Sequence, residues 1–105
     1  MRIIAGNLKG FTLHIPKDKN TRPLKDLTRE SIFNLLIHSS KISLHFEESN
    51  ILDLYSGTGS FGLECLSRYA KCVYFVENDK SAFEILEKNI EKLKAKNKTK
   101  IFFDD

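Results

Sequence analysis

The chain has 105 residues, 41% hydrophobic and 30% charged, which is the composition of one small globular domain and not of a disordered chain. It contains no run of about 18 apolar residues and no signal-peptide core, so we expect a cytoplasmic protein without a membrane partner. The net charge is +3, but residues 1–30 carry seven basic and three acidic groups, a balance of +4. This uneven charge favours a nucleic acid partner, and a solvated basic surface would account for it equally well.

The first predicted element is a β-hairpin over residues 2–5 and 11–15. Phe11, Leu13 and Ile15 alternate with polar residues, which predicts a strand with one apolar face. Gly6 and Gly10 supply the turn. A polar loop is predicted over 17–23, and a helix over 26–39. The helix is expected to present one apolar face made of Thr28, Ile32, Leu35 and Leu36, with Phe33 and Ile37 beside it.

The rest of the sequence alternates strands and helices. Apolar runs predict strands at 50–55, 72–77 and 101–103, and periodic segments between them predict helices at 60–69 and 81–96. The order β-α-β-α-β is that of half a doubly wound parallel sheet. A sheet that stopped at the third strand would leave an edge bare, so we expect either a fragment or self-association through that edge.

The two cysteines, Cys65 and Cys72, are too few for a disulfide framework and have no histidine cluster near them. The sequence therefore predicts free thiols and no metal site.

A glycine-rich turn joins the first parallel strand to the next helix. Gly57, Gly59 and Gly62 form a G-x-G-x-x-G pattern, and Glu77 closes the following strand twenty residues after Gly57. This spacing is typical of a nucleotide-binding βαβ unit, in which small residues admit a ligand and the acid accepts hydrogen bonds from ribose hydroxyls. The alternative is a tight turn with an acid that only caps a helix.

Asp53, four residues before Gly57, bears on which nucleotide could bind. A carboxylate would oppose the pyrophosphate of a dinucleotide, but it complements the sulfonium and ammonium groups of S-adenosylmethionine. The alternative for Asp53 is a buried acid that caps the amides of the turn.

Residues 51–79, ILDLYSGTGSFGLECLSRYAKCVYFVEND, resemble motifs I and II of class I methyltransferases. Three ordered segments are similar to the RsmD family: MRIIAGNLKGFTLHIP, TRPLKDLTRESIFNLL and LDLYSGTGSFGLECLSRYA. Members of this family methylate the exocyclic amine of a guanine in small-subunit ribosomal RNA. The resemblance implies a Rossmann-like class I methyltransferase fold that stops here after the third parallel strand. It also implies an N-terminal hairpin and basic loop over 1–24 and a partial cofactor-binding domain over 25–105.

The resemblance further implies roles for single residues, with S-adenosylmethionine as cofactor and ribosomal RNA as partner. The methionine half of the cofactor would lie against Asp53, Ser56, Gly57 and Gly59. The ribose would be held by Glu77, and the adenine would lie near Asn78 and Asp105. RNA phosphates would be gripped by Arg2, Lys9 and Arg22.

One departure from the family is large. The family's catalytic motif, Asp or Asn followed by two prolines and an aromatic residue, has no counterpart here, because the only prolines are Pro16 and Pro23. We therefore assign no catalytic residue and expect this chain alone to be inactive. Two other hypotheses stay open: a non-catalytic module that binds S-adenosylmethionine or RNA, and a fragment of an NAD-binding oxidoreductase.

Overall fold

The computed structural model describes residues 1–16, 26–38, 47 and 49–104. The loop predicted over 17–23 lies outside these residues. Within the described ranges, no helix is both long enough and apolar enough to cross a membrane. The helices are α1 (Asp26–His38), α2 (Ser60–Ser67) and α3 (Lys80–Lys92), with a 3-10 turn at Lys96–Lys98; the strands are β1 (Asn50–Leu54), β2 (Cys72–Glu77) and β3 (Thr99–Phe103).

The three strands form one parallel sheet in the order β1-β2-β3, which confirms the predicted β-α-β-α-β arrangement. The register pairs Asp53 with Phe75 and Phe75 with Ile101. The carboxyl ends of β1 and β2 therefore lie side by side. In open α/β sheets this is the end at which ligands bind.

The two faces of the sheet differ in how they are covered. On one face Val73 and Phe75 are fully buried and belong to the same core cluster as Leu63 of α2 and Leu86 of α3. Gly62 makes close packing possible there, since a Cβ on it would lie 2.3 Å from Phe75. On the other face Leu52 and Leu54 are 62% and 57% exposed. Parallel sheets are normally covered on both faces, so the described residues leave an apolar surface open.

Residues 1–16, called the N-terminal segment below, pair in an antiparallel manner, but less regularly than the predicted hairpin. Arg2 and Thr12 form an isolated bridge, and the Leu13 N–H donates to the Met1 carbonyl at 2.8 Å. The prediction that Phe11, Leu13 and Ile15 share one apolar face is wrong. Leu13 is buried, whereas Phe11 and Ile15 are 44% and 51% exposed. The reason is that side chains of α2 and α3 bond to the backbone of this segment, so these hydrogen bonds, and not the alternation of apolar residues, decide which side chains are buried.

A buried ion-pair cluster holds the N-terminal segment against α2. The carboxylate of Glu64, which is 0% exposed, accepts hydrogen bonds from the N–H groups of Ile4 at 2.9 Å and Ala5 at 3.1 Å. It also accepts from Arg68 Nε at 2.9 Å, and Arg29 Nε lies 3.8 Å from it. Glu64 thus joins α1, α2 and the N-terminal segment.

The same cluster changes the buried face of α1. Among the α1 residues whose side chains the structure describes, Arg29 and Phe33 are fully buried. Leu36 of the predicted apolar face packs against the core, but Thr28 and Leu35 are exposed, so the predicted face is only partly right. Arg29 turns inward because it pairs with Glu64. Phe33 turns inward because it stacks on Phe61, with ring centroids 4.9 Å apart.

Several element boundaries also differ from the prediction. β1 ends before Tyr55, whose φ of 57° is incompatible with a strand. α3 ends at Lys92 and not at residue 96, because Lys94 has a φ of 54° and the Ala95 N–H turns back to the Ile90 carbonyl at 3.0 Å. This local closure is a common helix C-terminus and does not depend on a proline or glycine.

Candidate functional site

The glycine-rich turn between β1 and α2 is held at its base by Ser56. The single O–H of Ser56 is shared between the carbonyls of Asp53, 2.7 Å from Oγ, and Val76, 3.1 Å from Oγ, so it ties the ends of β1 and β2 together. Gly59 has a φ of 88° and donates its N–H to the Ser56 carbonyl at 3.0 Å. A backbone in this left-handed conformation favours glycine. The turn is therefore held by hydrogen bonds at the end of the sheet where open α/β sheets generally bind ligands.

Asp53 lies on β1 with its side chain partly buried. Its Oδ2 accepts the N–H of Gly62, in the first turn of α2, at 3.2 Å. Burial raises the pKa of the Asp53 carboxyl from 3.8 to about 6; the Gly62 hydrogen bond opposes this rise, and the nearby charge of Glu77 adds to it. Asp53 thus makes the contact expected of an acid that caps the amides of the turn. Its ionised carboxylate is also close to the negative charge of Glu77, so a bound cation would stabilise it.

Glu77, the last residue of β2, reaches into the same turn. Its Oε1 accepts the Gly57 N–H at 2.8 Å, and its Oε2 accepts the N–H groups of Asn78 at 3.1 Å and Asp79 at 2.8 Å. A carboxylate has about four acceptor positions, so these three bonds leave room for one more donor on Oε1. Glu77, which is 7% exposed, is therefore positioned by the backbone and has one acceptor position on Oε1 that these three bonds do not use.

The amide donors around this site bear on what it could bind. Phosphates usually bind glycine-rich turns through backbone N–H groups at the start of a helix. Here the N–H of Gly57 is taken by Glu77 and that of Gly62 by Asp53. A pyrophosphate would compete with both carboxylates for these donors and would be repelled by their charge. The geometry therefore disfavours a dinucleotide and favours a ligand that carries positive charge.

The structure brings together most of the predicted cofactor residues and places the predicted RNA residues elsewhere. Asp53, Ser56, Gly57, Gly59 and Glu77 meet at the ends of β1 and β2, and Asn78 follows β2 directly. The predicted RNA residues Arg2 and Lys9 are both exposed and line one cavity of about 250 Å³, which also contains the carboxylate of Glu30. Asp105 and Arg22 lie outside the described residues.

Sequence reasoning missed Asn89, which bonds to the glycine-rich turn from behind. Asn89 is fully buried on α3, and its Nδ2 donates to the Thr58 carbonyl at 2.9 Å. The available signal was weak: an amide between Leu86 and Ile90, two positions that the periodicity of α3 assigns to its apolar side.

The chemistry of Cys65 makes it unsuited to act as a nucleophile near the site. Both thiols are free, as predicted. Burial raises the pKa of the Cys65 thiol to about 12, and the charges of Asp53 and Glu64 add to the rise. A thiol with such a pKa stays protonated and is a poor nucleophile at neutral pH.

A parallel sheet with a glycine-rich turn after its first strand, and an acid that reaches this turn from the second, is the arrangement typical of α/β proteins of the Rossmann-like class. The family model described as "Conserved hypothetical protein 95" matches residues 1–105, so the chain belongs to that family. This match, with the relatives below, confirms the resemblance to the RsmD family.

Several curated relatives share the name "Ribosomal RNA small subunit methyltransferase D". The Haemophilus influenzae protein is 39% identical over 95 residues, which is 90% of this chain and 46% of the relative. The Escherichia coli K12 protein is 37% identical over 97 residues, which is 92% of this chain and 46% of the relative. The chain thus spans about half the length of the curated relatives it matches.

A solved structure gives the same result for the fold. The Escherichia coli structure called "Putative methyltransferase yhhF" superposes with a TM-score of 0.82 and is 31% identical. The match covers all of this chain and 52% of that one. The described elements are therefore the first three parallel strands and their helices of a Rossmann-like class I methyltransferase fold, as the sequence predicted.

Proposed function

We propose that this chain is the cofactor-binding part of an S-adenosylmethionine-dependent methyltransferase that modifies the exocyclic amine of a guanine in small-subunit ribosomal RNA. The observation that carries the proposal is the pair of carboxylates, Asp53 and Glu77, at the glycine-rich turn. Together they favour a cationic nucleoside over a phosphate-bearing one. Membership of the family and the names of the relatives support the same class of reaction.

The residues present fit this cofactor. Asp53 would face the positively charged methionine end, beside the backbone of Ser56, Gly57 and Gly59. Glu77 would use its remaining acceptor position for a ribose hydroxyl, with Asn78 beside the adenine, and Asp105 would approach the adenine amino group. When bound, S-adenosylmethionine supplies an electrophilic methyl group. The protein's own contribution would be to fix the cofactor's position and to balance its charge.

RNA would contact the N-terminal segment in this proposal. Arg2 and Lys9 are exposed on one side of that segment, and the first thirty residues carry the whole excess of positive charge. Lysine and arginine contacts to phosphates make binding dependent on salt. We therefore propose Arg2, Lys9 and Arg22 as contacts to phosphates of ribosomal RNA, in the cytoplasm. Binding of a ribosomal RNA fragment that ignored salt would contradict these assignments.

A titration separates this proposal from its alternatives. We expect calorimetry to show that the chain binds S-adenosylmethionine at least tenfold more tightly than NAD, because the two carboxylates oppose the pyrophosphate. S-adenosylhomocysteine, which lacks the sulfonium charge, should bind more weakly than S-adenosylmethionine. Thermal unfolding of the same samples controls for folding. Folded protein that gives no heat with S-adenosylmethionine would instead support a non-catalytic remnant, and tighter binding of NAD would support an oxidoreductase fragment.

We further propose that this chain does not methylate RNA on its own and that it self-associates through the open edge and face of its sheet. Leu52 and Leu54 are large exposed apolar residues on edge strand β1. Sedimentation should show a concentration-dependent dimer that Leu52→Lys shifts toward monomer, since lysine on an exposed edge discourages pairing. A monomer at all concentrations would contradict self-association, and methylation of guanine by the isolated chain would contradict inactivity.

A further inference from the structure

The fully buried side chain of Asn89 contacts two separate parts of the chain. Its Nδ2 donates to the Thr58 carbonyl at 2.9 Å and to the His14 carbonyl at 3.1 Å. Its Oδ1 accepts the His14 N–H at 2.6 Å. The carboxamide thus pairs with both backbone groups of His14, as a neighbouring strand would, and uses its amino group a second time on the turn.

On the side of the turn, Asn89 fixes one peptide plane. The Thr58 carbonyl points to Asn89, and the N–H of the same peptide, on Gly59, donates to the Ser56 carbonyl at 3.0 Å. Thr58 itself is buried. The plane is therefore held from both sides, next to the Gly57 amide that meets Glu77. Losing the Asn89 bond would let this peptide rotate and would change the shape of the proposed cofactor site.

On the side of the N-terminal segment, side chains of three helices bond to the backbone, and the one on α1 is Arg29, which donates to the Arg2 carbonyl. The α2 clamp consists of Glu64, which accepts the N–H groups of Ile4 and Ala5, and Ser67, whose Oγ accepts the Leu8 N–H at 3.0 Å. The α3 clamp is Asn89 at His14; Lys92, also on α3, donates its Nζ to the Thr12 carbonyl at 2.6 Å. The α2 clamp engages the first half of the segment, whereas the α3 clamp engages its second half and continues into the glycine-rich turn.

We propose that Asn89 is a positioning residue that couples the position of the N-terminal segment on α3 to the backbone conformation of the glycine-rich turn. The identities of the two ligands rest on the function proposed above: S-adenosylmethionine at the turn and RNA phosphates at the N-terminal segment. Because such coupling is reciprocal, RNA that orders the segment should strengthen cofactor binding, and the cofactor should order the segment by the same factor.

Amide hydrogen exchange on the 105-residue chain tests the link without any ligand. Asn89→Ala removes the bridge, and His14→Pro removes the N–H that Asn89 accepts without touching the turn. We expect both variants to speed exchange of the Gly57 and Gly59 amides about tenfold, the effect of losing one buried hydrogen bond. The matched controls are His14→Ala, which keeps the backbone N–H, and Ser67→Ala, which loosens only the α2 clamp. Neither control should change the turn.

Adding S-adenosylmethionine gives a readout that a merely structural role would not move. In the wild type we expect the cofactor to slow exchange at residues 11–14, and we expect its affinity to fall about tenfold in His14→Pro but not in His14→Ala. If Asn89→Ala does not fold, His14→Pro decides the question. Unchanged exchange at Gly57 and Gly59 in His14→Pro would overturn the coupling, as would equal cofactor affinity in the two His14 variants. A wild type that binds no cofactor would contradict the proposed function, while exchange at the turn would still decide the link.

Discussion

Replacing Glu64 with alanine should destabilise the fold by about 3–5 kcal/mol, the usual cost of removing one partner from a buried ion pair. The side chain is fully buried and binds four groups: the backbone N–H groups of Ile4 and Ala5, and the guanidinium groups of Arg29 and Arg68. Alanine would leave two partly buried amides without their acceptor and would leave the buried guanidinium of Arg29 facing a cavity. Such a loss is a large part of the stability of a domain of this size.

Urea unfolding followed by circular dichroism measures this loss. Glu64→Gln keeps an oxygen that can accept from the backbone but removes the charge, so it should lie between the wild type and Glu64→Ala. Glu84→Ala, on the exposed side of α3, should stay within about 0.5 kcal/mol of the wild type. If the urea concentration at the midpoint of unfolding were the same for Glu64→Ala and the wild type, the buried cluster would not be what holds the N-terminal segment in place.

The importance of Glu64 could not be predicted from the sequence, for a physical reason. Its backbone partner Ile4 lies 60 positions away, and the partner of Asn89, His14, lies 75 positions away. No local periodicity reports such contacts. Both residues look like ordinary polar positions on helices until the fold brings the N-terminal segment across α2 and α3.

What could be predicted depends on local patterns. The three strands and the helices between them follow from apolar runs and helical periodicity, and the parallel pairing of the strands follows from their alternation with helices. Asp53 and Glu77 could be placed together because both stand at the carboxyl ends of adjacent parallel strands. Which residues of α1 and of the N-terminal segment are buried could not be predicted, because long-range contacts of Arg29 and Asn89 override the apolar pattern there.

Asp53→Asn should make the fold more stable at neutral pH by at most about 3 kcal/mol. The pKa of the Asp53 carboxyl rises from 3.8 to about 6 on folding, mainly through burial, and each pKa unit corresponds to about 1.36 kcal/mol. The native state therefore holds this proton more tightly than the unfolded chain does. The contribution of the carboxyl to stability is most favourable below about pH 4 and is lost as the pH rises through about 6.

This pH dependence gives the measurement. The difference in unfolding free energy between Asp53→Asn and the wild type should be small near pH 4, grow up to about pH 6 and stay level above it. Asparagine can still accept the Gly62 N–H, so the helix cap is kept and the change isolates the charge. Glu84→Gln, on an exposed surface, should show no such trend. Parallel stability curves for Asp53→Asn and the wild type would contradict a pKa near 6.

Functional sites commonly keep groups that cost stability, and a carboxylate with a raised pKa at the end of the sheet is consistent with a ligand that binds its charge. Asp53→Asn should therefore weaken S-adenosylmethionine binding about 10- to 100-fold at pH 7, since hydrogen bonds to charged groups are worth about 1.5–3 kcal/mol. In the wild type the affinity should rise about tenfold from pH 5 to pH 7, as a carboxyl of pKa near 6 ionises. The variant should bind with little dependence on pH over that range. If Asp53→Asn gained stability and kept full affinity, the carboxylate would have no role in holding the cofactor, and the choice of a cationic ligand would lose its main support.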